Sequence, residues 1–299
     1  MDTAATGLAA RVRAVLGDYL ALTKPRIVAL LLITALCAMI VAQDGLPPVW
    51  TTLATLFGLA LSAGGANAIN MWYDRDIDRI MSRTRGRPLP AGRLAPAAAL
   101  RFGIAAGIAA VVLLTATVGW LAAAMAAAGF AYYVFIYTMW LKRRTPQNIV
   151  IGGGAGAFPP LVGWAAVTGQ VGLAALLMFL IIFLWTPPHF WSLALYKDED
   201  YRRAGIPMMP VIHGWRSTKV QSAIYAVLLL GASLLLYLTG RVGIWYLAAA
   251  VVLGVVFIAY TLRLLREQAP HVRWAKRTFH FSLLYLTALF AAMVFDVRP

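Results

Sequence analysis

The sequence predicts an all-α membrane protein: nine transmembrane helices in a single domain over residues 1–299, N-terminus cytoplasmic and C-terminus external. Three observations carry that expectation. The chain is 62% hydrophobic and only 12% charged, about half the charged share of a soluble domain. Its apolar residues fall into stretches of the length that crosses a hydrocarbon core. Its basic residues, which give a net charge of +15, alternate between crowded and empty gaps.

Residues 1–20 are Ala-rich, carry Arg11 and Arg13, and lack a long apolar run before a small-residue cleavage site. They read as an N-terminal segment on the cytoplasmic face rather than a cleavable signal. A helix needs about 20 apolar residues to span the membrane, which places candidate spans at 25–43, 50–72, 97–118, 120–139, 147–166, 171–195, 219–239, 243–263 and 277–295. Phe102 to Leu141 is uncharged throughout, far too long for one crossing at about 1.5 Å per residue, so a reversal belongs at Val118-Gly119. The uncharged run from Gln147 to Tyr196 breaks in the same way at Thr168-Gly169-Gln170, where glycine lets the backbone reverse.

Nine spans make a forecast about charge: with a cytoplasmic N-terminus, the first, third, fifth and seventh connections and the C-terminal tail should lack Lys and Arg. The gaps near Asp44, Gly119 and Gln170 have none, the gap after span seven has only Arg241, and the tail has only Arg298. The other basic residues fall on the opposite face. The charge is therefore topological and argues against a nucleic-acid partner; the lipid bilayer is the partner it implies. Cys37 is the only cysteine, which excludes an internal disulfide.

Six of the eleven acidic residues sit in two clusters, Asp74-x-Asp76-x-Asp78 and Asp198-Glu199-Asp200. These follow spans two and six, so they share one face. Asn70, Asp74 and Asp78 are spaced i, i+4, i+8, one helical stripe with neighbours about 6 Å apart if span two continues. Carboxylates at membrane depth are functional candidates by default. Hard oxygen ligands in pairs suit Mg²⁺, whose shell a substrate's phosphates complete. Asn70, Asp74, Asp78, Asp198 and Asp200 are thus the candidate metal ligands of a site that handles a diphosphate. The bland reading is a pair of solvated charged loops, more credible for the second cluster than for the first. Arg83, Lys142 and Arg143 flank the acids and are candidates to hold diphosphate oxygens.

Longer strings carry a resemblance. Residues 70–89 read NMWYDRDIDRIMSRTRGRPL, residues 142–164 read KRRTPQNIVIGGGAGAFPPLVGW, and residues 185–210 read WTPPHFWSLALYKDEDYRRAGIPMMP. With Thr23-Lys24-Pro25-Arg26 and the acid spacing, residues 20–295 resemble the heme-directed branch of the UbiA superfamily of intramembrane prenyltransferases. The resemblance implies Mg²⁺-dependent transfer of a farnesyl group from farnesyl diphosphate to a vinyl group of heme B. Water addition then follows. It also implies heme A synthase or a terminal oxidase assembly as partners. With no long presequence ahead of span one, the expected location is the bacterial plasma membrane, and the resemblance leaves the mitochondrial inner membrane as the alternative. Met71 and Tyr196 stand where many superfamily members carry Asp, immediately after the motif Asn and four residues before the final Asp of the second cluster.

On the acceptor side, His189 lies in Trp185-Thr186-Pro187-Pro188-His189-Phe190-Trp191. The paired prolines are expected to break or kink span six and free backbone carbonyls there, and His189 is the candidate porphyrin contact; the bland reading is a histidine satisfied by a neighbouring helix. Tyr137 reads either as an interfacial anchor or as the lining of an isoprenoid tunnel. The glycines Gly152, Gly153, Gly154 and Gly156 read as close helix packing. Two other functions compete: a prenyltransferase for another aromatic acceptor, and a cation-coupled transporter. Transporter sites sit near the midplane, whereas these acids lie at helix ends.

Overall fold

The computed structural model describes residues 2–298, with side-chain surroundings from residue 10 onward. Among these, nine helices are long and apolar enough to cross a membrane: Pro25–Gln43, Val49–Tyr73, Pro96–Thr117, Trp120–Leu141, Asn148–Thr168, Leu173–Tyr196, Met209–Tyr237, Ile244–Arg266 and Arg273–Phe295. They are built from α2 (Pro25–Gln43), α3 (Val49–Tyr73), α5 (Pro96–Thr117), α6 (Trp120–Ala131) with a π-helical continuation (Tyr132–Leu141), α7 (Asn148–Gly152) with α8 (Gly154–Thr168), α9 (Leu173–Tyr196), α11 (Met209–Tyr237), α12 (Ile244–Arg266) and α13 (Arg273–Phe295). Three short or peripheral helices complete the chain: α1 (Asp2–Thr23), α4 (Arg75–Ile80) and α10 (Asp198–Arg203).

The reversals fall where the uncharged runs required them. Gly119 has φ 147° and Gly169 φ 67°, conformations that a side chain disfavours. Three details differ from the sequence reading. Helix α11 starts ten residues earlier than expected, because a further helical turn precedes the apolar run, and Gly214, with φ 76° and ψ 171°, kinks the chain between the two pieces. The fifth span divides at Gly152-Gly153 into α7 and α8. Pro187 and Pro188 do not break the sixth span; α9 runs through them to Tyr196. The prolines remove only the donors to the carbonyls of Phe183 and Leu184, and flanking turns and neighbouring helices hold the rest in register.

The helices form a closed ring of neighbours. Helix α3 packs on α5, α5 on α6, α6 on α8, and α8 on both α2 and α9. Helix α9 packs on α11 and α13, α11 on α12, α12 on α13, and α13 returns to α2. Small residues permit the closest approaches. A Cβ on Gly163 would collide with the backbone carbonyl of Ala35, so glycine lets α8 lie directly on α2. Buried polar groups are satisfied across helices: Tyr246 Oη donates to the Ser233 carbonyl at 2.9 Å and Trp185 Nε1 to the Ser282 carbonyl at 2.8 Å. Each such bond contributes about 0.6 kcal/mol in a membrane.

The two ends of the ring differ in chemistry. At one end Arg241 pairs with Asp44 at 3.0 Å, joining the first and seventh connections. Exposed Trp50, Trp120 and Trp245 ring the same end, as interfacial anchors do. The other end carries both acidic clusters and most of the Lys and Arg side chains.

Candidate active site

The first acidic cluster is carried on a helix that changes direction without losing register. Helix α3 ends at Tyr73 and α4 begins at Arg75, yet Asp74 N–H donates to the Asn70 carbonyl at 2.9 Å and Asp78 N–H to the Asp74 carbonyl at 2.8 Å. The expected stripe of Asn70, Asp74 and Asp78 is therefore intact. All three are buried. Asn70 Nδ2 donates to Asp74 Oδ2 at 2.8 Å and to Thr138 Oγ1 at 3.1 Å.

Buried carboxylates need counter-charges, and each has one. Lys142 pairs with Asp74 Oδ2, and Arg87 Nη1 with Asp78 Oδ2 at 2.7 Å. Arg143 grips Asp76 with two hydrogen bonds of 2.8 and 2.7 Å and approaches Asp74 Oδ1 at 3.6 Å. That grip, before any other influence, holds the Asp76 carboxyl below the usual aspartate range. Lys24 donates to Asn70 Oδ1 at 2.8 Å and to Tyr133 Oη at 3.3 Å. Burial, reinforced by Arg87 and Lys142, pushes the Lys24 ammonium well below the ordinary lysine value. Its backbone has φ 55°, an uncommon conformation for a non-glycine residue that clusters at functional sites. Four basic side chains thus converge on the stripe of Asn70, Asp74 and Asp78 and on the neighbouring Asp76.

The π-helical stretch Tyr132–Leu141 shapes the far wall. π turns are rare and concentrate at functional sites. Here the wide turn brings Tyr133, Tyr137 and Thr138 to one side, with Tyr133 and Tyr137 stacked at 5.4 Å. Gly152 lies flat against Tyr137, where a Cβ would strike the ring.

The second cluster reaches the first through one bond: Ser82, beyond α4, donates to Asp200 Oδ2 at 2.5 Å. Arg203 holds the other oxygen at 2.5 Å. These bonds, Ser82's first, keep the Asp200 carboxyl below the usual range. Asp198 turns toward α11, taking Arg202 at 3.0 Å and Trp215 Nε1 at 3.1 Å on Oδ2. Arg83 is exposed among Tyr137, Tyr196 and Tyr201, and among the described residues it makes no ion pair. Among those residues no three His, Cys, Asp or Glu side chains gather at metal-holding spacing. Two buried carboxylate oxygens nevertheless lack any hydrogen-bond partner, Asp74 Oδ1 and Asp198 Oδ1. Hard, orphaned oxygens beside an amide carbonyl suit a divalent cation, so the first cluster fits one.

On the side of Tyr133 away from Lys24, an apolar pocket extends between α2, α3, α6 and α8. Asn67 and Tyr133 mark its charged end; Leu59 and Val162 lie at its depth. Gly156, where a Cβ would meet nothing, lines it as well. Tyr133, not the expected Tyr137, faces this cavity. Phe130 and Ser62 line both the cavity and a separate groove between α5 and the π stretch, so the wall there is one side chain thick.

A cationic cradle over a deep apolar pocket matches an amphiphile with an anionic head, and comparison with known proteins agrees. The profile of the UbiA prenyltransferase family matches residues 31–284. The chain belongs to the UbiA prenyltransferase family. Among its relatives are two prenyltransferases named protoheme IX farnesyltransferase. The one from Symbiobacterium thermophilum is 60% identical over 95% of each chain. The one from Acidiphilium cryptum is 50% identical over 94% of this chain and 90% of the relative. Two solved structures share the fold. A digeranylgeranylglyceryl phosphate synthase superposes with a TM-score of 0.79 at 22% identity, covering 94% of this chain and 98% of that one. A UbiA homolog from Archaeoglobus fulgidus bound to GPP and Mg²⁺ gives 0.67 at 18% identity, covering 92% and 99%.

Lys24, Arg87 and Thr138 touch the acid stripe, Ser82 bonds Asp200 and Tyr133 lines the pocket, although the acid spacing did not point to them. Lys24 has a local signal, a lysine pinned before Pro25 at the very start of the first span. Arg87 is hidden in a run of arginines whose individual targets no spacing rule separates.

Proposed function

We propose that this prenyltransferase moves a farnesyl group from farnesyl diphosphate to a vinyl carbon of heme B, giving heme O and diphosphate. The observation that carries the reading is the cradle of Lys24, Arg87, Lys142 and Arg143 set over an apolar pocket; the relatives' name supplies the donor and acceptor.

Asn70, Asp74 and Asp78 would hold Mg²⁺, which supplies neutralising charge at the leaving diphosphate. Asp198 and Asp200 belong to the rim, with Asp200 reaching the first cluster through Ser82. When the diphosphate enters, Lys142, Arg87 and Lys24 exchange aspartate and asparagine oxygens for phosphate oxygens. Arg143 and Arg83 flank the mouth. The farnesyl tail lies in the cavity beneath Tyr133. The allylic carbon–oxygen bond breaks with its electron pair leaving on the diphosphate, and the vinyl π electrons form the new carbon–carbon bond. The resulting heme-side cation takes water and releases a proton. Side chains aimed at charge that develops only during ionisation give the largest rate gains, and the apolar walls keep water from the first cation. The basic, acid-bearing end is the cytoplasmic face of the bacterial plasma membrane in this reading, as the charge distribution implies.

The test is diphosphate release by the purified chain with farnesyl diphosphate, heme B and Mg²⁺, with the product weighed by mass spectrometry. Heme plus a farnesyl group plus water supports the reading. Diphosphate release that follows a hydroxybenzoate or naphthoate acceptor and ignores heme rejects it.

A further inference from the structure

The cradle and cavity account for the donor. Between α9 and α13 lies a second group of side chains, which no part of that site uses. The His189 ring is held between Trp185, with centroids 4.2 Å apart and planes 16° apart, and Phe279, at 4.7 Å and 24°. Its Nδ1 lies 2.6 Å from Ser282 Oγ, and Ser282 Oγ lies 2.6 Å from the Phe279 carbonyl oxygen. Counting protons assigns the tautomer. A hydroxyl has one proton, and a carbonyl oxygen can only accept, so Ser282 must donate to Phe279. The remaining contact is then a hydrogen bond only if Nδ1–H donates to Ser282. That leaves Nε2 as a bare lone pair.

Nε2 has no hydrogen-bond partner among the described residues, and it is not among the buried, sealed polar atoms. The ring cannot turn to find one, because the aromatic faces on both sides and the Ser282 bond hold it. Trp185 is itself fixed by its 2.8 Å bond to the Ser282 carbonyl. A neutral imidazole whose other nitrogen donates to a fixed oxygen is the usual form of a metal-binding histidine. Toward the basic end the seam continues through half-buried Tyr196, edge-on to Phe279 at 6.0 Å. It ends at exposed Lys276, whose Nζ is 6.0 Å from the Tyr196 ring centre. Lys276 precedes Ser282 by six residues, about 9 Å of helix rise. An aromatic wall, one free lone pair inside and a cation at the rim match an iron porphyrin that keeps its propionates toward water.

We propose that the α9–α13 seam seats the heme acceptor, with His189 Nε2 as axial iron ligand and Ser282 as the positioning residue that fixes the ring's proton. The assignment rests on the proposed heme specificity and adds where and how the porphyrin is held. Binding is lone-pair donation to iron, with nothing oxidised or reduced.

The experiment titrates the purified full-length protein with hemin and reads the Soret band. Wild type should show the red-shifted band of imidazole-ligated heme. His189→Phe keeps an aromatic ring in the sandwich but has no nitrogen, and should lose the shift. His189→Gly should lose it and regain it when free imidazole is added. Ser282→Ala should weaken hemin binding by about tenfold or more, the usual effect of removing a histidine's orienting partner. Ser282→Thr, which keeps the hydroxyl, should stay near wild type. An unshifted wild-type band, or a wild-type spectrum in His189→Phe, overturns the iron ligation. Equal affinity in Ser282→Ala and wild type overturns the positioning role. Product formation separates the two readings: if wild type makes farnesylated heme while His189→Phe binds hemin unchanged, only the seat is wrong. If wild type makes no such product, the heme reading itself falls.

Discussion

The pairing of Asp74 with Lys142 allows stability and catalysis to be separated by substitution. Asp74 is fully buried and the Lys142 side chain is only 15% exposed. Removing one partner of such a pair strands the other charge, at a cost of about 3–5 kcal/mol. Asp74→Asn should therefore lower stability by that amount; at roughly 2–4 °C per kcal/mol for a chain this long, melting falls by about 10 °C. Lys142→Met should do similar harm, by leaving Asp74 without its nearest cation. The double variant Asp74→Asn/Lys142→Met strands neither charge, and replacing a whole buried pair is often near neutral. Its melting temperature should return most of the way to wild type. Turnover should not return, because the proposed diphosphate site still lacks both a carboxylate and a cation; a loss of about a thousandfold corresponds to roughly 4 kcal/mol of transition-state stabilisation. Detergent-solubilised thermal melts followed by size exclusion, run beside the diphosphate-release assay, read both quantities. A double variant no more stable than the single ones would refute the ion-pair reasoning. A stable double variant with near-normal turnover would refute the placement of the diphosphate.

Phe130→Ala should open the thin wall between the cavity and the α5 groove, raising use of geranylgeranyl over farnesyl diphosphate by about tenfold in direct competition; an unchanged ratio would show that the wall does not measure the tail. Asp200 and Asp76 have depressed pKa values, so their anionic forms stabilise the fold above the unfolded value of about 3.9. That contribution is lost as pH falls below it toward the folded values. Ser82→Ala should therefore flatten the acid limb of the melting-temperature profile, and an identical limb would remove Asp200's bond as its cause. A C-terminal reporter should be active only when it functions outside the cytoplasm, and activity of a cytoplasm-only reporter would reverse the orientation drawn from the charge map.

Most of the architecture was legible because membrane spans obey length and polarity rules that act on single segments. The reversals at Gly119 and Gly169 followed from runs too long for one crossing. The Asn70–Asp74–Asp78 stripe followed from helical spacing alone. What stayed hidden depends on several segments at once. Pro187 and Pro188 argued locally for a break or a kink, but neighbouring helices keep α9 unbroken through them. The start of α11 was misplaced because hydropathy marks where a helix enters lipid, not where its hydrogen bonds begin. Lys142 and Arg143 were found near the acids, yet their separate partners, Asp74 and Asp76, depend on how the π stretch presents them. Lys24 carried one local signal, its place before Pro25, but nothing in its neighbourhood tells that its ammonium reaches Asn70, 46 positions away.

The ten-residue π stretch from Tyr132 to Leu141 also bears on how this chain tolerates change in length. In a straight α-helix, losing one residue before Lys142 would rotate everything after it by about 100°. The wide turns already hold such extra residues, so a deletion there would relax to ordinary α geometry with the span still crossing the membrane. The residues beyond the stretch would keep their register, leaving Lys142 and Arg143 beside Asp74 and Asp76, but Thr138 inside it would turn away from Asn70. Here a deletion that leaves hydropathy and topology untouched strips one wall of the site. The residue count between Phe130 and Lys142 is therefore as much a part of the site as any side chain in it.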